Sequence, residues 1–147
     1  MLNSHNEASA NKSKNLAVLL WFRLARFYLK NVRESNNQLK KWGLTTAQFD
    51  VIVHVGRNKR LTQQELADKL VVTKGNVTHL LKKMEELQWI KREVEWKNKY
   101  LSLTEIGQKM YEEIVPSQDE FQQAQFSKLT EEEQLQLLTL LRKLNKK

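Results

Sequence analysis

Residues 61–80 read LTQQELADKLVVTKGNVTHL, and this segment contains two helix-start signals in close succession. Thr62 followed by Glu65 predicts a capping box, in which the hydroxyl and the carboxylate bond the free backbone N–H groups at the start of a helix. Thr73 is again a favoured N-cap residue, so a second helix begins after only a short turn. The segment therefore predicts two short helices that meet at a steep angle.

The second helix of this pair, from Thr73 to Gln88, has one apolar side and one polar side. Ala67 of the first helix is small enough to allow a close approach, and Val77 and Leu80 face it across the contact. Such a pair is typical of a DNA-reading helix-turn-helix, whose second helix enters the major groove. The residues that then point outward are Lys74, Asn76, Thr78, His79 and Lys82.

The composition disfavours catalysis and metal binding. The chain has 147 residues, the size of one ordinary domain, and it contains no cysteine, which excludes disulfides, thiolate zinc sites and cysteine nucleophiles. Its histidines, His5, His54 and His79, are far apart in sequence, and the four glycines are too scattered to form a phosphate-binding loop. The sequence predicts a protein that is not an enzyme and that needs no cofactor or metal.

The charge of the chain favours a polyanionic partner. Lysine and arginine number 25 against 17 acidic residues, which gives a net charge of +8. A lysine-rich chain can also simply have a well-solvated surface, so the total alone leaves both interpretations open. Position favours a binding face, because basic residues crowd between residues 74 and 99 while acidic residues concentrate in later helical segments.

Both ends of the chain carry more apolar surface than one small core needs. From about Asn15 to Lys41, apolar residues recur at helical spacing, and further ones, among them Trp21 and Phe22, widen the stripe. A last helix begins at Thr130, with Glu133 completing a capping box, and has a broad leucine-rich face. These helices lack another partner in so small a domain, so the sequence predicts a homodimer.

A further helix is predicted between the first helix and the helix pair. Gly43 ends the first helix, and Thr45 with Gln48 forms a capping box for a helix that runs to about Val55. Later in the chain, Pro116 should kink the helix that contains it, because proline has no amide proton and crowds the preceding turn.

After the helix pair, alternating apolar and polar residues predict a short β-hairpin. Residues 90–95 and 100–103 alternate around a basic tip at residues 96–99. The alternation favours cross-strand packing for Trp96 and Tyr100.

No secretory signal is expected, because residues 1–14 are polar. The longest apolar run, Leu16 to Phe22, is far too short to span a membrane. The sequence therefore predicts a soluble, cytoplasmic protein with no membrane partner.

The residues resemble the multiple-antibiotic-resistance regulator (MarR) family of bacterial transcription factors over nearly the whole chain. Each landmark alone is weak, but the ordered set is specific. The landmarks are Leu44-Thr45 with Gln48-Phe49, Leu61-Thr62 with Glu65-Leu66-Ala67, Val72-Thr73 with Val77-Thr78, Leu87 with Trp89-Ile90 and Arg92, Leu103-Thr104-Glu105 with Gly107, and Leu129-Thr130-Glu131-Glu132. The resemblance implies a winged-helix homodimer on palindromic operator DNA, commonly a repressor that small ligands release.

The resemblance implies a mainly α fold with a small β-hairpin wing, in a single domain over residues 1–147. Residues 44–104 would form the winged helix-turn-helix, DNA-binding part, and residues 15–41 and 105–147 would form the dimerisation helices. A small aromatic or amphipathic effector would lie between these two parts. Candidate lining residues are Trp21, Phe22, His54 and Tyr111, although a core role is favoured for each.

The hairpin departs from the family pattern. Glu95-Trp96-Lys97 stands where the family usually carries an aspartate, a variable residue and an arginine, and the hairpin is a few residues shorter than usual. Lysine lacks the planar fork of arginine, so Lys97 is expected to hold a phosphate where an arginine would enter the minor groove.

Among the predicted DNA contacts, Asn76 is the best base reader, because its amide can pair bidentately with adenine. Thr78 can contact a thymine methyl group or a phosphate, and His79 can donate to a guanine edge. Gly75 permits close approach of the backbone. The other predicted contacts are Lys74, Lys82 and Lys83 on the second helix, the helix start at Thr62 and Gln63, and Arg92, Lys97, Asn98 and Lys99 of the hairpin.

An alternative function is that of a non-specific winged-helix nucleic-acid-binding protein, architectural or RNA-binding. Its signature would be exposed aromatic side chains for stacking, and Trp96 and Tyr100 are the only candidates in the hairpin. A protein-interaction scaffold that has lost DNA binding is disfavoured by the basic residues at Lys74, Lys82 and Lys97.

Overall fold

The computed structural model describes residues 2–70 and 74–146, and the side chains of residues 2, 3, 74 and 75 lie outside that description. The described chain is mainly helical with one small antiparallel sheet, which confirms the predicted fold class. Its elements are α1 (Leu2–Leu39), a 3-10 turn (Lys40–Trp42), α2 (Thr46–Asn58), β1 (Leu61–Thr62), α3 (Gln63–Lys69), α4 (Lys74–Glu86), β2 (Ile90–Glu95), β3 (Asn98–Leu103), α5 (Glu105–Gln125) and α6 (Glu131–Asn145).

The sheet has the strand order β1-β3-β2 and contains one strand that the sequence analysis missed. Strands β2 and β3 form the predicted hairpin, called the wing below, with Ile90 opposite Leu103 and Arg92 opposite Leu101. The missed strand β1 pairs Leu61 with Leu101 from the other side of β3. A strand of two residues is too short to show alternation, so periodicity could not reveal it.

Threonine caps begin several of the helices, as predicted. The capping boxes at Thr45 and Thr130 are complete, each with both reciprocal hydrogen bonds. At Thr62 the hydroxyl accepts from the N–H of Glu65, but the Glu65 carboxylate accepts from that same hydroxyl and not from the backbone. The second predicted cap residue of the helix pair, Thr73, lies outside the described residues.

Helix α2 lies at the centre of the core. Its Val51, Ile52 and Val55 are fully buried, and it packs against α1, α3, α4, α5 and β3. Leu81 and Met84 of α4 are also fully buried. The inner side of α4 is therefore fixed by the core, and its opposite side faces outward.

Polar side chains join α1 to α5 along one seam. The Ser35 hydroxyl donates to Gln118 over 3.1 Å, and both residues are buried. One turn before Ser35 on α1 and one turn after Gln118 on α5, Asn31 and Gln122 exchange two hydrogen bonds of 2.9 and 3.2 Å. The seam sets the register of the two helices, because buried polar groups strongly require partners.

Helix α1 is longer than predicted. Helix α1 begins at Leu2, whereas the apolar pattern predicted a start near Asn15. The added part, residues 4–14, is exposed throughout, so it has no buried face from which periodicity could detect it. Pro116, predicted to kink its helix, lies within an α5 that is helical on both sides of it.

The terminal helices leave a large apolar surface uncovered. The chain exposes 11659 Å², whereas a compact monomer of this mass would expose about 7,900 Å². Exposed apolar residues of α1 and α6 include Leu16, Val18, Leu19, Trp21, Phe22, Leu29, Leu135, Leu138, Leu140 and Leu144. Surface of this kind is typical of a subunit that packs against another chain.

Candidate nucleic-acid interface

Helix α4 presents one polar face to solvent, and the predicted base-reading residues lie on it. Asn76, Thr78, His79, Lys82 and Lys83 are exposed. Residues three and four apart on a helix are neighbours, so these five side chains form one continuous patch. The other two residues predicted for this helix, Lys74 and Gly75, belong to α4, but their surroundings are not among those described.

The start of α3 lies beside this patch, and its predicted phosphate contacts have partners within the protein. Thr62 caps α3. The Gln63 amide donates to the Thr78 hydroxyl over 3.4 Å, and its oxygen accepts from the Arg92 guanidinium over 2.7 Å. Gln63 therefore connects α3 to both α4 and the wing.

Arg92, predicted to flank the duplex, is turned into the protein. Its side chain is 28% exposed, and its Nε donates to the Glu85 carboxylate in a close ion pair. Together with the bond to Gln63, this contact ties β2 to α3 and α4. Arg92 therefore holds the wing against α4. The sequence analysis did not identify Glu85 as its partner.

The tip of the wing differs from the prediction. The predicted tip spanned residues 96–99, but Asn98 and Lys99 belong to β3 and pair with Glu95 and Val94. The turn therefore contains only Trp96 and Lys97. The two-residue turn keeps the hairpin short and stiff.

The predicted cross-strand packing of Trp96 is wrong. Its side chain is 96% exposed, and its backbone lies in the left-handed region with φ of 60°. The sequence analysis places Trp96 in the tip of the hairpin, and alternation along the strands does not show which way a residue of a tight turn points.

Arg60 is a residue of this region that the sequence analysis missed. Its guanidinium forms an ion pair with Glu95 at 2.6 Å and lies over the Tyr100 ring, 4.2 Å from the ring centroid. The hydrogen bond and charge of Glu95 raise the pKa of Arg60 above its usual value. Thirty-five residues separate Arg60 from Glu95, so no local pattern could have revealed the contact.

The lysines of the interface carry uncompensated charge. Among the ion pairs of residues 2–70 and 74–146, Lys91 pairs with Glu93, whereas none involves Lys82, Lys83, Lys97 or Lys99. All four are exposed. Positive charge without a protein partner is suited to phosphate, where binding releases counterions.

A separate cavity of about 350 Å³ lies between α1 and α2. Its lining includes Tyr28, Asn36, Thr46 and Asp50. The Thr46 hydroxyl is buried with no hydrogen-bond partner among the described residues, and burial raises the pKa of Asp50 to about 6. The four residues predicted as effector candidates are not among those that line this cavity.

Those four candidates have other surroundings. Trp21 and Phe22 are exposed on α1, and Tyr111 packs against the core from α5. His54 is half-buried on α2, and burial, with smaller effects from nearby basic side chains, lowers its pKa.

In the described part of the chain, no group of three or more potential ligands could hold a metal ion. No helix there has the length and apolar character to cross a membrane.

Known proteins are similar to this chain in sequence or in fold. The model of the MarR family matches residues 42–95, from the end of the 3-10 turn before α2 to the end of β2. An uncharacterized HTH-type transcriptional regulator of Bacillus cereus is 40% identical over 136 residues, which is 92% of each chain. Two solved structures have low sequence identity to this chain, and they are similar to it in fold alone. A mutant of Escherichia coli MarR complexed with operator DNA has a TM-score of 0.75 at 23% identity, covering 90% of this chain and 97% of that one.

A second structure with the same fold is that of Bordetella bronchiseptica BpsR, whose DNA binding is regulated by 6-hydroxynicotinic acid. Its TM-score is 0.79 at 20% identity, covering 87% of this chain and 99% of that one. The matches in sequence, together with the helix-turn-helix and wing described above, show that the chain belongs to the MarR family and is a DNA-binding transcriptional regulator.

Proposed function

We propose that the protein is a homodimeric regulator that places one α4 from each subunit in successive major grooves of a palindromic operator. The observation that carries this proposal is the exposed polar face of α4, whose opposite side is buried in the core. An α-helix fits the major groove, where each base pair presents a distinct set of donors, acceptors and methyl groups. Contact with base edges is the role that the chemistry of this face supports.

Within this proposal the exposed residues divide into base readers and phosphate contacts. Asn76 reads adenine and His79 donates to guanine, while Thr78, whose hydroxyl is bonded to Gln63, offers its methyl group to thymine. The phosphate contacts are Lys74, Lys82 and Lys83 of α4 and Lys97, Asn98 and Lys99 of the wing, with Gly75 allowing close approach.

Three predicted backbone contacts are assigned a different role. Arg92 and Gln63 have partners in each other and in α4, and Thr62 caps α3. We assign these residues to positioning, because their hydrogen bonds hold α3, α4 and β2 in one arrangement. A reading surface held in this way loses little conformational freedom on binding.

The dimer in this proposal uses the terminal helices. Residues 44–104 act as the DNA-binding part, and residues 15–41 and 105–147 act as the dimerisation part of a single domain. Support comes from the excess surface and from the exposed apolar side chains of α1 and α6. A two-fold dimer buries the same patch of both subunits and presents two matched α4 helices.

We further propose that the protein is a cytoplasmic repressor that a small molecule releases from DNA. The cavity beside α2 supports this role, because it lies between a terminal helix and the DNA-binding part and has room for a small ligand. BpsR, which shares the fold, responds to such a ligand. A ligand would act only through a difference in its affinity for two arrangements of the subunits.

The proposal is tested by selecting DNA fragments from a genomic library with purified protein and then measuring gel-shift affinity. We expect one inverted repeat with half-sites about one helical turn, or a multiple of it, apart. Affinity should fall by orders of magnitude between low and physiological salt, because phosphate contacts dominate it. Equal affinity for the selected site and for random duplex would instead support the non-specific alternative.

A further inference from the structure

Within the part of the chain that the structure describes, the Trp96 side chain makes no contact that would explain its presence in the wing. At 96%, it is the most exposed of the large apolar residues in the described chain. It holds the first position of a two-residue turn and has φ of 60°. A bulky side chain in this backbone region is rare, and hairpin turns favour glycine or asparagine at such positions.

Neither folding nor solubility favours this residue. Glycine would relieve the backbone, and a polar residue would avoid exposing an indole to water. Outliers of this kind are found where a side chain must be presented to a ligand. A large aromatic ring at the end of a hairpin is well suited to that purpose, because it brings much contact area with few rotatable bonds.

The turn is held firmly in place. Glu95, the residue before Trp96, is paired with Arg60 at 2.6 Å, and Arg60 also covers the ring of Tyr100. At the other end of β2, Arg92 is bonded to Glu85 of α4. The position of Trp96 is therefore tied to α4, and the ring can be presented at a set distance from the base-reading face.

The charges around Trp96 indicate its partner. Lys97 and Lys99 are exposed and lack an ion pair within the described part of the chain. The six-residue strands of the wing span about 20 Å. That length is sufficient to cross a phosphate ridge beside a helix seated in the major groove.

We propose that Trp96 is a DNA contact whose indole enters the minor groove adjacent to the major groove that α4 occupies. The planar ring enters edge-on a groove about 6 Å wide and packs against deoxyribose and base edges. Lys97 and Lys99 hold the flanking phosphates. This inference rests on the proposed function, and it assigns the wing an apolar contact in addition to its charged ones.

A single-stranded partner is less well matched to this wing. Proteins that stack single strands use several aromatic rings in succession. Tyr100, the other aromatic residue of the wing, is half-buried and its ring is covered by Arg60. One isolated ring between lysines fits a duplex groove better than a stacking surface.

The test compares three variants on the operator selected as described above. Trp96→Gly removes the ring and relieves the turn, Trp96→Phe retains an aromatic ring, and Lys97→Gln removes one charge. We expect Trp96→Gly to weaken binding about ten-fold with an unchanged salt slope, because an apolar contact releases no counterions. Trp96→Phe should recover most of the affinity, and Lys97→Gln should reduce the salt slope by about 1.

Three further readouts separate the contact from a structural role. The melting temperature of Trp96→Gly should equal or exceed that of the wild type, because the turn is relieved. Hydroxyl radicals attack the sugars that line the minor groove, so the wild type should protect outer sugars that Trp96→Gly leaves open. DNA binding should quench tryptophan fluorescence in the wild type and not in Trp96→Gly.

Several outcomes would overturn the inference. Wild-type affinity and unchanged footprints for Trp96→Gly would show that the ring does not touch DNA. A larger loss on single-stranded DNA than on duplex would reassign it to stacking. Failure of the wild type to prefer any duplex would instead refute the proposed function, and this inference with it.

Discussion

Asn76, in the first turn of α4, is the residue on which base recognition in this proposal most depends. Its exposed amide offers one donor and one acceptor, as adenine requires. Asn76→Ala should cost on the order of 1–3 kcal/mol and relax specificity at one base position, measured by gel shift on a set of single-base operator variants.

The matched control for this change is Lys83→Gln on the same helix. Loss of a phosphate contact should weaken binding to all sequences alike and reduce the salt slope by about 1. A uniform loss for Asn76→Ala would show that this residue contacts only the backbone.

Asp50 makes stability depend on pH in an unusual direction. Burial raises its pKa to about 6 from its ordinary value of 3.8. Between these values the folded state holds a proton that the unfolded state releases, so the free energy of unfolding falls as pH rises through this window. Above pH 6 the buried charge destabilises the protein.

Asp50→Asn should therefore stabilise the protein at pH 7 by on the order of 1–3 kcal/mol and flatten the pH dependence between about pH 4 and 6. Urea denaturation at a series of pH values measures both effects. Asp68→Asn, which makes the same change of charge at an exposed position of α3, is the control. Identical pH profiles for wild type and Asp50→Asn would contradict the argument.

At the scale of elements, α5 begins in direct contact with the loop between α4 and β2. The Thr104 N–H donates to the Trp89 carbonyl over 3.1 Å, and its hydroxyl donates to Gln88 over 2.6 Å. A Cβ added to Gly107 would lie 2.1 Å from the Trp89 carbonyl oxygen. Glycine is needed here because backbone meets backbone, and neither side can move aside as a side chain could.

Gly107→Ala should thus lower the free energy of unfolding by about 1–3 kcal/mol, since α5 must shift away from the base of the wing. Thermal denaturation followed by circular dichroism measures the loss. The neighbouring Gln108→Ala, at an exposed position of the same turn, should be close to neutral. Equal midpoints for the two variants would show that the loop yields without cost.

At the scale of the whole molecule, the proposed dimer depends on the exposed apolar residues of α1 and α6. Trp21 and Phe22 are 66% and 60% exposed in the single subunit. Sedimentation equilibrium should give twice the 17.4 kDa mass of the chain.

The double variant Trp21→Glu and Phe22→Glu should sediment as a single subunit, because burying unpaired carboxylates in an apolar interface is costly. Val94→Glu adds a carboxylate in place of a 71% exposed apolar residue of the wing and should leave the dimer intact. A wild-type protein that sediments as a stable single subunit would contradict the proposed dimer.

The sequence alone predicted three local features correctly. They are the amphipathic face of α4, the caps at Thr45 and Thr130, and the hairpin after α4. Each depends on residues only a few positions apart, where spacing translates directly into geometry. The resemblance to the family added the order in which these elements assemble.

The spacing of neighbouring residues could not predict the contacts between residues that are far apart in the sequence. The pairing of Arg92 with Gln63 spans 29 positions, and that of Arg60 with Glu95 spans 35. The buried contact of Ser35 with Gln118 spans 83. Such pairs form only when helices and strands have docked, so the internal role of Arg92 and the exposed position of Trp96 became visible only in the folded chain. The net charge and the helical periodicity thus follow from the sequence alone. Which basic side chains form internal ion pairs, as Arg60 and Arg92 do, and which remain exposed for phosphate, as Lys97 and Lys99 do among the described residues, is decided by the packing of the helices and strands.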